Sequence, residues 1–369
     1  MVEKMQIEVK RVAIDELQEK GFADVAQDGQ SRTLFSSAKL KAYQTNPTIQ
    51  DLKECAHLAG LVDGSIAGGI SPFSIRVVAD EVIYRGVSAS SLWVEPKYRN
   101  TGLAIDLLEE WQTLAHDKIN IACGITRKAR PIYHLMGFKI FTFQQVYWIR
   151  RSKGYLKNKF KGRVYVPGCF FLLDRLLDVY GLWIRCVGRV INAPWSVQRV
   201  LPNEHGKLVL VEEIVRQDTS RFREEHNAAW FKWLLENNFY GENQQQSLYL
   251  AYKSGVLVGF FMLLVLDNQQ KNETWGRIIE WGCRAGFEKQ EPRLLLQAFL
   301  TLNRDVDIAC LECAQKESIR FLKRLGLFVY GNQVMVMKAQ DDSPLVRHAG
   351  YDQQDNWRMR PANGDHGLS

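Results

Sequence analysis

The residues of this 369-residue chain best suited to chemistry lie where a short apolar strand meets a helix, between Ser88 and Ala104. Leu92, Trp93 and Val94 favour a pleated, buried conformation, and Pro96 ends strand pairing because it has no amide donor. From Leu103 the spacing becomes helical, with Leu107, Leu108, Trp111 and Leu114 on the same face. Gly102 and the small Ala104 leave the first-turn amides uncovered. These amides lack intrahelical acceptors and carry the positive end of the helix dipole, so they suit a phosphate or pyrophosphate.

A second stretch lies at a fitting distance. Residues 119–125 (INIACGI) read as a buried strand, followed by Thr126, Ala129, Tyr133, Gly137 and Phe138. Ala129 and Tyr133 are four apart and share a helix face, and Gly137 can supply a left-handed cap before the next strand, 138–150. Pro131 falls in a first helical turn, which tolerates it.

The pattern Val94-x-Pro96-x-Tyr98-Arg99-x-x-Gly102-x-Ala104 resembles the acyl-CoA pyrophosphate loop of the GNAT superfamily of N-acyltransferases. Thr126 to Phe138 is similar to that family's second signature, with Thr126 standing where the family often has Asn. The resemblance implies an α/β (α+β) fold with a mixed, mostly antiparallel sheet flanked by helices. It places Leu92, Trp93 and Val94 along pantetheine, and Arg99, Asn100, Thr101, Gly102, Leu103 and Ala104 at the pyrophosphate. Thr126 would add a polar contact, and Tyr133 would protonate the departing thiolate. Acetyl-CoA, or another acyl-CoA, is the implied co-substrate, with no metal, and a small-molecule or protein amine is the implied acceptor.

The reaction so implied is direct attack by a neutral amine on the thioester, with strand amides polarising the carbonyl. Proton removal needs a base or a water chain. Ser88, Ser90 and Ser91 could hold a water, and Glu95, Glu81 and His134 are the nearest titratable alternatives.

Length and ordinary apolar content suit two domains. The first residues contain no apolar run of signal-peptide length, and seven scattered cysteines suit a reducing compartment, so a cytoplasmic protein is expected. The single CxxC, Cys310 to Cys313, has no second pair and reads as packing. Residues 151–200 hold ten Lys/Arg against Asp174 and Asp178, a surplus of eight in a chain of net charge +7. The rest is near neutral, which removes the usual compositional support for DNA binding.

The expected domains are residues 1–150 (acyl-CoA-binding), 151–204 (a basic helical linker), 205–338 (a second, degenerate GNAT-like copy) and 339–369 (a polar, mobile tail). In the first, strands are expected at about 5–13 and from 58 onward, with helices at 22–27, 35–43 and 49–57 and a hairpin at Asp63-Gly64-Ser65. In the linker, 170–191 reads as an amphipathic helix: a docked connector, or an interfacial helix attracted to anionic lipid. In the second copy, 208–215 reads as a strand and 220–238 as a helix. Gln315, Ser318, Leu322 and Gly326 repeat the spacing of Thr126, Ala129, Tyr133 and Gly137, but no Arg-x-x-Gly loop follows Arg284 and Leu322 replaces the tyrosine.

The function read from the sequence is therefore acyl-CoA-dependent N-acylation of a primary amine. A non-catalytic acyl-CoA- or membrane-binding module is a different reading. A third, an aminoacyl-tRNA-dependent transferase, is opposed by the intact loop.

Overall fold

The computed structural model describes residues 5–20, 25–27, 30–32, 37–149, 167–237, 244–268, 273–302, 306–312 and 315–360. In chain order the first half runs β1 (Ile7–Ala13), α1 (Ile14–Lys20), β2 (Val25–Gln27), β3 (Gln30–Arg32), α2 (Ser37–Gln44), β4 (Cys55–Val62), β5 (Ser65–Ala79), β6 (Val82–Val94), α3 (Leu103–Thr113), β7 (Ile119–Cys123), α4 (Arg130–Leu135) and β8 (Lys139–Ile149). The second runs α5 (Pro167–Ile191), β9 (Trp195–Val200), α6 (His205–Arg216), β10 (Phe222–Glu224), α7 (Ala228–Glu236), β11 (Gln244–Lys253), β12 (Val256–Asn268), β13 (Glu273–Cys283), α8 (Glu291–Leu302), β14 (Ile308–Leu311), α9 (Lys316–Arg324), β15 (Phe328–Ala339) and β16 (Trp357–Arg358).

Fourteen of these strands form one mixed sheet, ordered β1-β4-β5-β6-β7-β15-β8-β14-β13-β12-β11-β9, with β10 and β16 attached beside β5. The two halves repeat one another. Each has an antiparallel hairpin whose turn carries two positive φ angles, Asp63 and Gly64 in one and Ser254 and Gly255 in the other. In each, a parallel pair follows, β6 with β7 and β13 with β14.

The halves also interlock. β15 lies between β7 and β8 and pairs antiparallel with both, while β8 pairs with β14 on its other side. Val334 and Val336 on one face of β15, and Met335 and Met337 on the other, are each no more than 1 % exposed. Apolar side chains on both faces require a central strand, which accounts for this position.

α3 packs Leu103, Leu107, Leu108 and Trp111 onto Leu58, Val62, Ala67 and Ile70, as the helical spacing predicts. On the opposite face of the first half, Tyr43 of α2 meets Phe73 edge-on at 5.5 Å.

Several local expectations are corrected. Residues 208–215 are helical rather than extended: in α6, Leu208, Val211, Ile214 and Val215 are buried at helical spacing, and Glu212 pairs with Arg216 one turn on. A short apolar run does not distinguish the two periods. Residues 49–54 form turns leading into β4, not a helix, and Val25–Gln27 pairs with Gln30–Arg32 as a strand. Between 220 and 237 a three-residue strand precedes α7, whose first turn is capped by Asn227 accepting from Trp230 N at 2.9 Å. Beyond the helix, the 151–204 segment contributes β9, paired with β11.

As far as residue 360, the segment expected to be a mobile tail packs against the second half. Trp357, Arg358, Met359 and Arg360 are buried, and β16 pairs with β10. Polar composition concealed this because two arginines find internal acids. Residues 361–369 and Cys313 lie outside the described residues. Among the described residues, no helix is long and apolar enough to cross a membrane and no group of His, Cys, Asp and Glu could hold a metal ion.

Candidate active site

β6 and β7 pair only from Gly86–Ile119 to Ala89–Ala122, and residues 90–94 then make no ladder with β7. The departure coincides with a bulge: Gly69 faces Trp93 while Ser71 faces Ser90, so β6 carries one extra residue there. The wedge between the two strands opens into a cavity of about 190 Å³ lined by Ile70, Ala89, Leu92, Thr126, Ala129 and Tyr133, among others. Three residues singled out from the sequence, Leu92, Thr126 and Tyr133, thus meet in one space.

The chain after β6 closes into a short 3-10 turn, Pro96–Tyr98, and then α3. Gly102 adopts φ +91°, which L side chains rarely take, and a Cβ placed there meets nothing within 4 Å. The Gly102 carbonyl accepts from Ile105 N at 2.8 Å and Asp106 N at 3.2 Å, whereas the Gly102, Leu103 and Ala104 amides make no hydrogen bond to the described residues. These open donors suit an anion.

The remaining candidates divide. Arg99 Nε donates to Val94 O at 3.2 Å, tying the turn to the strand end, and the rest of its side chain is exposed with Asn100. Thr101 Oγ1 donates to Tyr98 O at 2.8 Å. The Leu103 side chain is fully buried, so only its backbone faces the turn. Val94 is also buried, under α3, and Trp93 is half-buried; neither lines the cavity. Thr126 accepts from Ala129 N through both its hydroxyl (3.3 Å) and its carbonyl (3.0 Å), which caps the turn into α4.

Tyr133 is 2 % exposed and stands edge-on to Phe138 at 5.2 Å. Burial holds its phenol well above the usual range, so it keeps its proton at neutral pH. Gly137 has φ +80° and provides the left-handed exit expected of it.

None of the titratable groups proposed as bases lines this cavity. Glu95 pairs with Lys97 at 3.3 Å, Glu81 sits in the β5–β6 hairpin turn, and His134 is exposed. Ser88 is buried opposite Phe73 and Ile121.

Sequence reasoning missed His57. It is buried, with Nδ1 3.4 Å from Ser71 Oγ, and Ser71 pairs with Ser90 at the bulge. Burial, and then the Lys39 charge, lower its pKa to about 3, leaving it neutral. No spacing in the sequence marks a histidine placed by a neighbouring strand. Arg130, at the start of α4, was also missed; its Nε is buried and makes no hydrogen bond to the described residues.

The second half builds the same wedge differently. β13 and β14 pair from Trp275–Ile308 to Ile278–Leu311, and β13 bulges between Met262–Glu280 and Leu263–Ile278. Glu280 therefore stands where Ser91 stands in the first half. Its carboxylate meets His226 Nδ1 at 2.8 Å and Arg358 Nη2 at 2.5 Å, while Arg360 stacks over Trp281 at 4.0 Å. Where α3 begins with open amides, α8 is preceded by Glu288, which accepts from Gly286 N at 2.9 Å, and itself begins with Glu291. Carboxylates already occupy the positive end that an anion would need.

Comparison with solved structures shows the GNAT fold. Saccharomyces cerevisiae N-myristoyltransferase with bound myristoyl-CoA is 12 % identical over 90 % of this chain and 82 % of its own, with a TM-score of 0.56. A GCN5-related N-acetyltransferase from Anabaena variabilis is 10 % identical over 90 % of this chain and 73 % of its own (TM-score 0.52). A tandem GNAT protein from the clavulanic acid biosynthesis pathway is 14 % identical over 90 % of this chain and 98 % of its own (TM-score 0.50). No protein-family model matches the sequence, and a search of curated proteins finds no match.

Proposed function

We propose that the chain is an acyl-CoA-dependent N-acyltransferase whose donor site is the β6–β7 wedge and whose acceptor is a primary amine. The observation that carries this reading is one juxtaposition. The open amides of Gly102, Leu103 and Ala104 follow the end of β6, and Tyr133 lines the cavity where β6 parts from β7. The fold, shared with proteins that bind acyl-CoA such as the yeast N-myristoyltransferase, supports it.

In this reading the α3 amides hold the pyrophosphate, with Arg99 and Arg130 as nearby cations. The strand end at Leu92 runs beside pantetheine, and Thr126 and Ala129 border it. The amine nitrogen forms a bond to the thioester carbonyl carbon, the C–S bond breaks, and the Tyr133 hydroxyl delivers its proton to the leaving sulfur. The ammonium proton passes to solvent water, and a proton from solvent restores the Tyr133 hydroxyl. Acetyl-CoA is the proposed donor and the second half, with its wedge internally neutralised, shapes rather than duplicates the site. We place the protein in the cytoplasm.

Calorimetric titration with acetyl-CoA tests the donor site. Gly102→Ala supplies the control for backbone strain at φ +91°, and Gly102→Glu adds a carboxylate where the pyrophosphate would lie. Binding retained in the first variant and abolished in the second supports the assignment. Absence of binding to acetyl-CoA and to longer acyl-CoAs by the unaltered protein would refute it.

A further inference from the structure

α5 has two apolar faces. The inner one is satisfied: Ile184 is buried, Gly188 lies against Leu296 and Leu300 of α8, and Tyr180 Oη donates to Gly326 O at 3.0 Å. The outer one is not. Leu172, Leu176, Val179, Trp183, Cys186 and Val190 recur every three or four residues, so they form one stripe along the helix, and Leu176, Val179, Trp183 and Val190 are 53–77 % exposed. Single exposed leucines are ordinary; a continuous row along about 27 Å of helix, at about 1.5 Å per residue, is not.

We propose that this outer face of α5 lies on an anionic lipid bilayer, parallel to its surface. Three observations select that occupant. First, the helix is too interrupted by charge to cross a membrane, yet its outer stripe matches the amphipathic pattern of helices that lie in the interface. Second, among the described side chains of the helix the exposed charges are Arg175 and Arg189, while Arg185 and Asp178 are half-buried, the Asp178 carboxylate 3.9 Å from Arg175. Third, the chain immediately before α5, residues 150–166, contains seven Lys/Arg and no Asp or Glu, so the same end of the helix carries a strong positive charge into its surroundings. A second copy of the chain is a poorer occupant of the stripe. It would bring its own Arg175, Arg189 and basic run against the same groups, with no acidic partner offered by the stripe.

This inference does not rest on the acyltransferase reading, and its test involves no acyl-CoA. The full-length protein is sedimented with vesicles of phosphatidylcholine alone and of phosphatidylcholine with phosphatidylserine. The expected result is partitioning onto the anionic vesicles only. Leu176→Glu with Trp183→Glu should weaken it at least about ten-fold by placing carboxylates in the apolar stripe. Arg175→Glu with Arg189→Glu, at exposed positions outside the apolar stripe, should weaken it by about ten-fold through loss of positive charge. Raising salt from about 0.1 M to about 1 M, which shortens the Debye length from about 10 Å to about 3 Å, should release the protein. Circular dichroism and thermal unfolding verify that each variant remains folded. The proposal is overturned if the unaltered protein ignores anionic vesicles or if both variants bind as it does. A dimer in analytical ultracentrifugation that Leu176→Glu with Trp183→Glu dissociates would also overturn it, since the stripe would then be a contact between copies.

Discussion

Arg358 Nη2 and Glu280 Oε1 lie 2.5 Å apart, both buried, although the residues are 78 positions apart in the chain. The C-terminal run thereby closes the wedge of the second half: Arg358 also donates to Trp281 O at 2.7 Å, and its Nε lies 3.1 Å from Asp218. Removing one member leaves a buried charge unpaired, so Arg358→Ala should cost about 3–5 kcal/mol of stability. Denaturant unfolding would show this as a lower midpoint with unchanged slope.

The same cluster sets a pH dependence. Burial alone would raise the pKa of Glu280, but the Arg358 guanidinium and the His226 hydrogen bond hold it below its ordinary value. A depressed carboxylate contributes stability above its unfolded pKa of about 4.3, and that contribution is lost as pH falls through the folded value. Burial of His226 would lower its pKa, but Glu224 and Glu280 together raise it. Its contribution is therefore complete below about pH 6.5 and is lost as pH rises through the folded value. Glu280→Gln should flatten both limbs of a stability–pH profile measured by thermal unfolding.

His57 works in the opposite sense. Its pKa, lowered to about 3, means that the unfolded chain takes up a proton that the folded chain refuses. Between about pH 6.5 and that value, stability should fall by up to about 1.4 kcal/mol per pH unit from this residue alone. His57→Gln should remove that slope in a denaturation series across the range, and an unchanged slope would contradict the assignment.

At the proposed donor site, Tyr133→Phe should lower kcat by about 10²-fold while leaving the acetyl-CoA Kd within about two-fold, because only the proton donor is removed. Stopped-flow thiol detection with an amine acceptor separates the two quantities. Equal loss of both would make Tyr133 a packing residue against Phe138.

The seat of α3 is equally testable. A Cβ on Gly60 would come within 2.7 Å of the buried Leu103 side chain, whose amide belongs to the open turn. Gly60→Val should therefore cost about 1–3 kcal/mol and weaken CoA binding by displacing that amide. Stability loss without weaker binding would separate the helix position from the site.

The local chemistry was legible in the sequence because it is written in neighbouring residues. Pro96 ending the strand, Gly102 at positive φ, the apolar face of α3, and Gly137 at the helix exit all act within a turn of where they stand, and each appears as its residue type requires. Tyr133 was marked by the resemblance of Thr126 to Phe138 to a family signature, and with Ala129, Leu92 and Thr126 it lines one cavity. Other features have causes distant in the chain. His57 meets Ser71 only because β4 and β5 pair. Glu280 is neutralised by residues beyond position 350, so the polar tail is tied down by ion pairs that composition does not reveal. Residues 208–215 could satisfy either period until the faces available to them were set. Most of all, tertiary structure decided that β15 enters between β7 and β8. The sequence by itself determined that residues 328–338 form a strand, read as the one that closes the second copy; it could not say that the strand enters the first half, because pairing is settled by which edge remains open when the rest of the sheet has formed.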